Sequence, residues 1–184
     1  MFGRNHRQAA FEAAEHATCN DFKKIFTEDM DGLHLLALLL TADEDLAAQC
    51  FVAGLEDSIR DNSVFRQWAR SWSKRAIIKN AIKVIKPGQA DERSDAEAVE
   101  SGDVEKNRLA GPVTQLAPLE RFVFVMSVLE GHSPAECSAL LGCSMQEVLA
   151  ARSQAMRQLA SYQALQLESN GMPQATLMVA AGAA

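Results

Sequence analysis

Between Arg60 and Lys86 the sequence sets eight basic residues (Arg60, Arg66, Arg70, Lys74, Arg75, Lys79, Lys83, Lys86) against one acid, Asp61. Arg66, Arg70 and Lys74 recur every four residues, as do Arg75, Lys79 and Lys83, so on a helix each set forms a cationic track. Phe65, Trp68 and Trp72 share one side by the same helical spacing. Cations for phosphates and flat rings for unstacked bases are what single-stranded nucleic acid requires. The same pattern also fits a helix with an aromatic core face and a solvated basic one. A second stretch is built differently. Ser133-Pro134-Ala135-Glu136 and Ser144-Met145-Gln146-Glu147 both read as capping boxes, the first with Pro at the opening helical position, and Gly142-Cys143 lies between them. With a preceding helix to pack on, two capped helices about a glycine turn make a helix-turn-helix, whose second helix enters the major groove.

Other chemistries find no support. The sequence holds no G-x-S-x-G, no phosphate-binding glycine loop and no paired His at metal spacing, so no catalytic group, metal or cofactor is expected. His6, His16, His34 and His132 are scattered. Cys19, Cys50, Cys137 and Cys143 form no C-x-x-C pair and read as buried thiols. Asp43, Glu44 and Asp45 resemble a carboxylate cluster, but an acidic first helical turn explains them.

The elements that position these residues should all be helices. Ala and Leu supply 49 of the 184 residues, against 22 from Val, Ile and Thr together, a balance that favours helix over sheet. The five prolines fall outside the long periodic runs or in a first turn. Phe22, Ile25 and Phe26 mark one helix. Residues 33–40 mark a second, apolar nearly all round and therefore central. A third, over about 43–57, carries Leu46, Cys50, Val52, Ala53 and Leu55. A fourth begins near Ser63 and runs towards Ile85, and a short extra helix is expected within 5–18. Pro118–Leu129 should form one helix with Leu119, Phe122, Val123, Met126 and Leu129 on its apolar stripe. Its successors run from the Ser133 cap to Leu141 and from the Ser144 cap to about Ser161. The longest apolar run, Leu35 to Leu40, is six residues, far short of the roughly 20 a membrane span needs. No membrane partner is expected, and the expected location is the cytoplasm.

Charge divides the chain. Residues 1–90 hold 12 basic and 12 acidic residues, and residues 106–184 hold 5 of each. The seven acids at Asp91, Glu92, Asp95, Glu97, Glu100, Asp103 and Glu105 face only Arg93, so the whole net charge of −6 sits in 15 residues. That stretch has too little apolar surface to offset the entropy of ordering it. The expected organisation is all-α: two small helical domains, 20–86 and 113–165, joined by an acidic flexible linker over 87–112 and followed by a tail over 166–184. Such domains should move independently, and a protease should cut first between Pro87 and Pro112.

Leu116-Ala117-Pro118-Leu119-Glu120-Arg121-Phe122-Val123-Phe124, then Leu129 to Glu136, then Leu140-Leu141-Gly142-Cys143-Ser144, resembles the promoter-reading domain of extracytoplasmic-function sigma factors of bacterial RNA polymerase, in a divergent form. Upstream, Phe22 to Phe26, Leu33 to Thr41, Asp45-Leu46, Gln49-Cys50-Phe51 and Phe65-Arg66-Gln67-Trp68 are similar to that family's polymerase-binding domain. The resemblance implies a transcription-initiation regulator whose partners are core RNA polymerase, promoter DNA and an anti-sigma protein. It implies polymerase contacts at Asp45, Leu46, Gln49 and Phe51. DNA contacts fall at Arg66, Trp68, Arg70, Trp72, Lys74, Arg75 and Lys79 in the first domain, and at Ser144, Gln146, Arg152, Gln154 and Arg157 in the second. The alternative is a sigma-like interaction protein, a decoy for an anti-sigma factor or polymerase, that reads no promoter. Charge separates the two domains, because the helix opening at Ser144 brings only Arg152 and Arg157 as far as Leu159. The second domain should therefore hold duplex DNA weakly and the Arg60–Lys86 segment should carry most of the affinity.

Overall fold

The apolar run at Leu35–Leu40 lies at the centre of the molecule. The computed structural model describes residues 16–60, 64–87 and 107–170. Within them the helices are α1 (Cys19–Glu28), α2 (Met30–Thr41), α3 (Glu44–Arg60), α4 (Ala69–Ile85), α5 (Asn107–Thr114), α6 (Pro118–Phe124), α7 (Pro134–Leu141) and α8 (Met145–Asn170). The fold is all-α, and its C-terminal part is helix-turn-helix-like. One antiparallel bridge, His16 with Phe65, is the sole β pairing among the described residues. Leu33, Leu36, Ala37, Leu39 and Leu40 of α2 are buried. A helix apolar on more than one side needs neighbours on more than one side, and α2 packs against α1, α3, α4, α5 and α6.

Buried residues of both halves take part in that packing. Phe26, Leu40, Cys50 and Ile77 belong to the same buried cluster as Phe122, Val123, Met126 and Val148. A smaller cluster of Ala17, Phe22, Val64 and Ala69 lies under the start of α4, with Trp72 against it. The acidic run at 91–105 lies outside the described residues. The end of the expected linker does not: α5 begins at Asn107 and takes Pro112 within it. Pro87 is buried.

Other boundaries differ for identifiable reasons. The α-helix expected from Ser63 begins at Ala69, after a 3₁₀ turn over Arg66–Trp68, so Phe65 precedes the helix. Of the short helix expected within 5–18, residues 5–15 lie outside the described part, and residues 16–18 are not helical. The last helix runs to Asn170 instead of Ser161, because no Gly or Pro intervenes before Gly171. The tail from 171 onward lies outside the described residues.

Beyond Phe124, α6 continues as a π-helical turn over Val125–Leu129, in which Glu130 N–H donates to Val125 O at 3.0 Å and His132 N–H to Met126 O at 2.9 Å. The wider turn carries Leu129 off the apolar stripe, leaving it 50% exposed. Val52 of α3 is also exposed.

The α3–α4 crossing is close. A Cβ on Gly54 would lie 2.7 Å from Ile77 Cγ1 and 3.3 Å from its backbone nitrogen. Gly54→Val should therefore overpack this contact and destabilise the protein by roughly 2–3 kcal/mol, read as a lowered midpoint in urea. An unchanged midpoint would show that the crossing has slack.

Candidate nucleic-acid and polymerase interface

Thr18 caps α1. Its N–H donates to Asp21 Oδ2 at 2.8 Å, and Asp21 N–H donates to Thr18 Oγ1 at 3.3 Å. The Thr18 backbone bond, then its hydroxyl, then nearby Arg66 hold the Asp21 carboxyl below the usual carboxylate range. Arg66 Nε stands 3.4 Å from the same oxygen. One turn on, Arg70 donates to Asp29 at the α1–α2 junction. A further turn on, Lys74 Nζ meets Glu130 at 2.8 Å and 3.2 Å. Each of these three cations, four residues apart, thus faces a carboxylate from a different element. Glu28, Asp29, Asp31 and Glu130 line the cleft beside Arg70 and Lys74.

The second cationic set has other company. Lys79 Nζ lies 5.4 Å above the Trp72 ring, and Lys83 is 3.6 Å from Asp57. Arg75 is half-buried; its charge helps to lower the Glu136 carboxyl, after hydrogen bonds from Ser133 and alongside His132. The three aromatic residues do not share one face. Trp68 is 56% exposed and meets Phe65 edge-on at 5.3 Å, while Phe65 stacks on His16 at 4.7 Å. Trp72 packs into the smaller core cluster. Trp68 is the ring most open to a base.

In the second half both capping boxes form. Ser133 N–H donates to Glu136 at 2.8 Å, and Glu136 N–H returns to Ser133 Oγ at 3.2 Å. Ser144 N–H donates to Glu147 at 2.7 Å, and Glu147 N–H returns to Ser144 Oγ at 3.2 Å. The Ser144 hydroxyl, then its N–H, lower the Glu147 carboxyl. Gly142, at φ 67°, ends α7 in the left-handed region that glycine tolerates. Val148, Ala151 and Ala155 seat α8 on the core. Gln146, Arg152, Ser153 and Arg157 are exposed, Gln154 is half-buried, and Arg157 donates to the Gln154 amide oxygen. Met145, Leu149 and Met156 are exposed along α8, near 50% each. Its outer face thus joins two cations to three apolar side chains.

On α3, Asp45 and Gln49 are exposed, whereas Leu46 and Phe51 are half-buried. The Phe51 ring packs edge-on against Phe26 at 5.1 Å. Gln49 instead joins Ala48, Val52, Ala53 and Glu56 in a shallow surface patch.

Sequence reasoning also missed Arg121. It is 6% exposed, and Nε donates to Leu40 O at 3.1 Å and Nη2 to Thr41 O at 3.3 Å, while Nη1 donates to Thr114 O at 3.2 Å and Leu116 O at 3.1 Å. Burial pushes the guanidinium down to about 10, so it stays charged at neutral pH. The carbonyls it meets at the end of α2 carry that helix's partial negative charge.

The four cysteines are unpaired, and burial pushes the Cys50, Cys137 and Cys143 thiols up. Among the described residues, no group of three His, Cys, Asp or Glu is placed to hold a metal ion, and no helix is long and apolar enough to cross a membrane. Residues 113–159, from the end of α5 through most of α8, match the family model described as Sigma-70, region 4, the domain typical of extracytoplasmic-function sigma factors. No curated protein matches the chain.

Proposed function

We propose that this chain, through a sigma-70 region 4 domain and the helices that precede it, is a sigma-factor-like regulator of transcription initiation that binds core RNA polymerase and promoter DNA. The observation carrying this reading is the region 4 match at 113–159, which coincides with two capped helices about Gly142. In that role α8 approaches the major groove with Ser144, Gln146, Arg152, Gln154 and Arg157. The basic track, with Arg66 on the 3₁₀ turn and Arg70, Lys74, Arg75 and Lys79 on α4, holds an unpaired strand, Trp68 supplies a stacking surface, and Trp72 supports Lys79 from below. On α3, Asp45 and Gln49 reach polymerase, with Leu46 and Phe51 positioning them from the core. Its setting is the cytoplasm, and the role is non-enzymatic.

One observation favours a second reading. The outer face of α8 carries exposed Met145, Leu149 and Met156, side chains suited to a protein partner better than to phosphates. A decoy that binds an anti-sigma protein or polymerase without reading DNA would use that face.

Co-purification from a bacterial lysate with tagged full-length chain separates them, followed by run-off transcription with the recovered complex. Polymerase subunits with promoter-dependent transcripts support the first reading. Polymerase or a small protein without transcripts supports the second, and no retained transcription partner overturns both.

A further inference from the structure

One flank of α8 carries an apolar stripe that the other described residues leave open. At about 100° per residue, Met145, Leu149, Arg152 and Met156 fall within about 60° of one another. The stripe lies roughly 100° round the helix from the buried Val148, Ala151 and Ala155. Met145, Leu149 and Met156 are 49%, 49% and 51% exposed. A single exposed apolar residue needs no explanation, whereas three in line on one helix mark a contact surface. The chemistry of the stripe narrows its occupant. Phosphates gain nothing from two thioethers and a leucine. A second copy seated stripe to stripe would bring two Arg152 side chains together. An uncharged apolar segment fits: its side chains meet Met145, Leu149 and Met156, and its backbone carbonyls accept from the Arg152 guanidinium.

The chain supplies such a segment directly after α8. Residues 171–184 hold Met172, Leu177, Met178 and Val179 with five alanines and no charged side chain. Gly171 and Pro173 are turn residues. α8 ends at Asn170, about 37 Å along the helix axis from Met145. With residues 171–173 reversing the chain, residues 174–184 span about 36 Å when extended, which matches the distance back to the far end of the stripe. In an extended chain Ala175, Leu177, Val179 and Ala181 share one side, and Gln174, Thr176 and Met178 the other.

We propose that the Met145–Leu149–Met156 flank of α8 is the docking seat of the chain's own segment 174–184. The segment lies back along α8, with Leu177 and Val179 against the stripe and Arg152 donating to its carbonyls. A tether this short holds the segment at an effective concentration on the order of millimolar, so a protein partner for this face competes with it. The seat stands whether or not α8 reads DNA.

The test uses the full-length chain as wild type and as the double variant Leu177→Asp with Val179→Asp, both checked for helicity by circular dichroism. Each is treated with hydrogen peroxide over a range of protein concentrations, and methionine sulfoxide is quantified site by site by peptide mass spectrometry. Met30 on α2, 55% exposed, is the internal reference, because oxidation follows exposure. Docking predicts that Met145 and Met156 of the wild type oxidise about fivefold more slowly than Met30 at every protein concentration, and at the Met30 rate in the variant. A photoactivated benzophenone side chain in place of Leu177 should cross-link to α8 within one chain.

Met145 and Met156 reacting as fast as Met30 in the wild type overturns the proposal. Equal protection in wild type and variant also overturns it, and gives the cover to some other segment. Protection lost on dilution, with cross-links between chains, overturns it in favour of a second copy.

Discussion

Alanine in place of Arg66, Arg70 and Lys74 together should weaken binding to a single-stranded oligonucleotide by about 30-fold at low salt, and the logarithmic salt slope should become shallower by about 2, near 0.7 for each lost phosphate contact. The loss is large because the variant does more than delete three cations. Asp21, Asp29 and Glu130, now paired with them, would face the strand unneutralised. Alanine at Arg152 and Arg157 should cost less than about threefold, since these two are the only cations α8 carries between Met145 and Ser161. Fluorescence anisotropy at two salt concentrations measures both. If the Arg152 and Arg157 pair matters as much as the triple change, and does so with sequence preference, α8 is the principal reader and the α4 track is a solvated face.

The second large effect concerns the common core. Phe122 is fully buried in the cluster that also holds Leu40 and Ile77. Phe122→Ala should cost about 3–5 kcal/mol, a substantial part of the roughly 5–15 kcal/mol that holds a protein of this size folded. Both tryptophans, Trp68 and Trp72, lie in the first half. Their fluorescence thus reports on the half that does not contain the substitution. With a continuous core, the fluorescence midpoint in urea should fall with the midpoint seen by circular dichroism. A fluorescence midpoint that stays at the wild-type value would restore the picture of two independent halves.

What the sequence disclosed, and what it withheld, follows from the range of each interaction. The caps at Ser133 and Ser144 are three-residue devices and were legible as such. So was the four-residue spacing of Arg66, Arg70 and Lys74. The Thr18–Asp21 cap has the same three-residue form. The carboxylates that meet Arg70 and Lys74 come from 41 and 56 residues away, and no local pattern encodes such a meeting. The all-round apolar helix over residues 33–40 signals a central place, but the side chains that cover it, Phe122 and Val123 among them, come from distant parts of the chain that no local pattern links to it. Leu129 leaves its stripe for a simpler reason. A uniform helical period assigns each apolar residue to a stripe, whereas a π-helical turn shifts the stripe.

That π-helical turn has a consequence for how the chain can change over time. One surplus residue in Val125–Leu129 sets the rotational phase of everything downstream, because each residue of an ordinary helix advances the chain by about 100°. Losing one residue there would regularise the hydrogen bonds of the turn. It would also swing Glu130 away from Lys74 and turn the Ser133 and Ser144 helices to a new heading. The segment thus sets the phase between α6 and the two capped helices: a one-residue deletion leaves their own caps and turn intact but turns Val148, Ala151 and Ala155 away from their seat on the core.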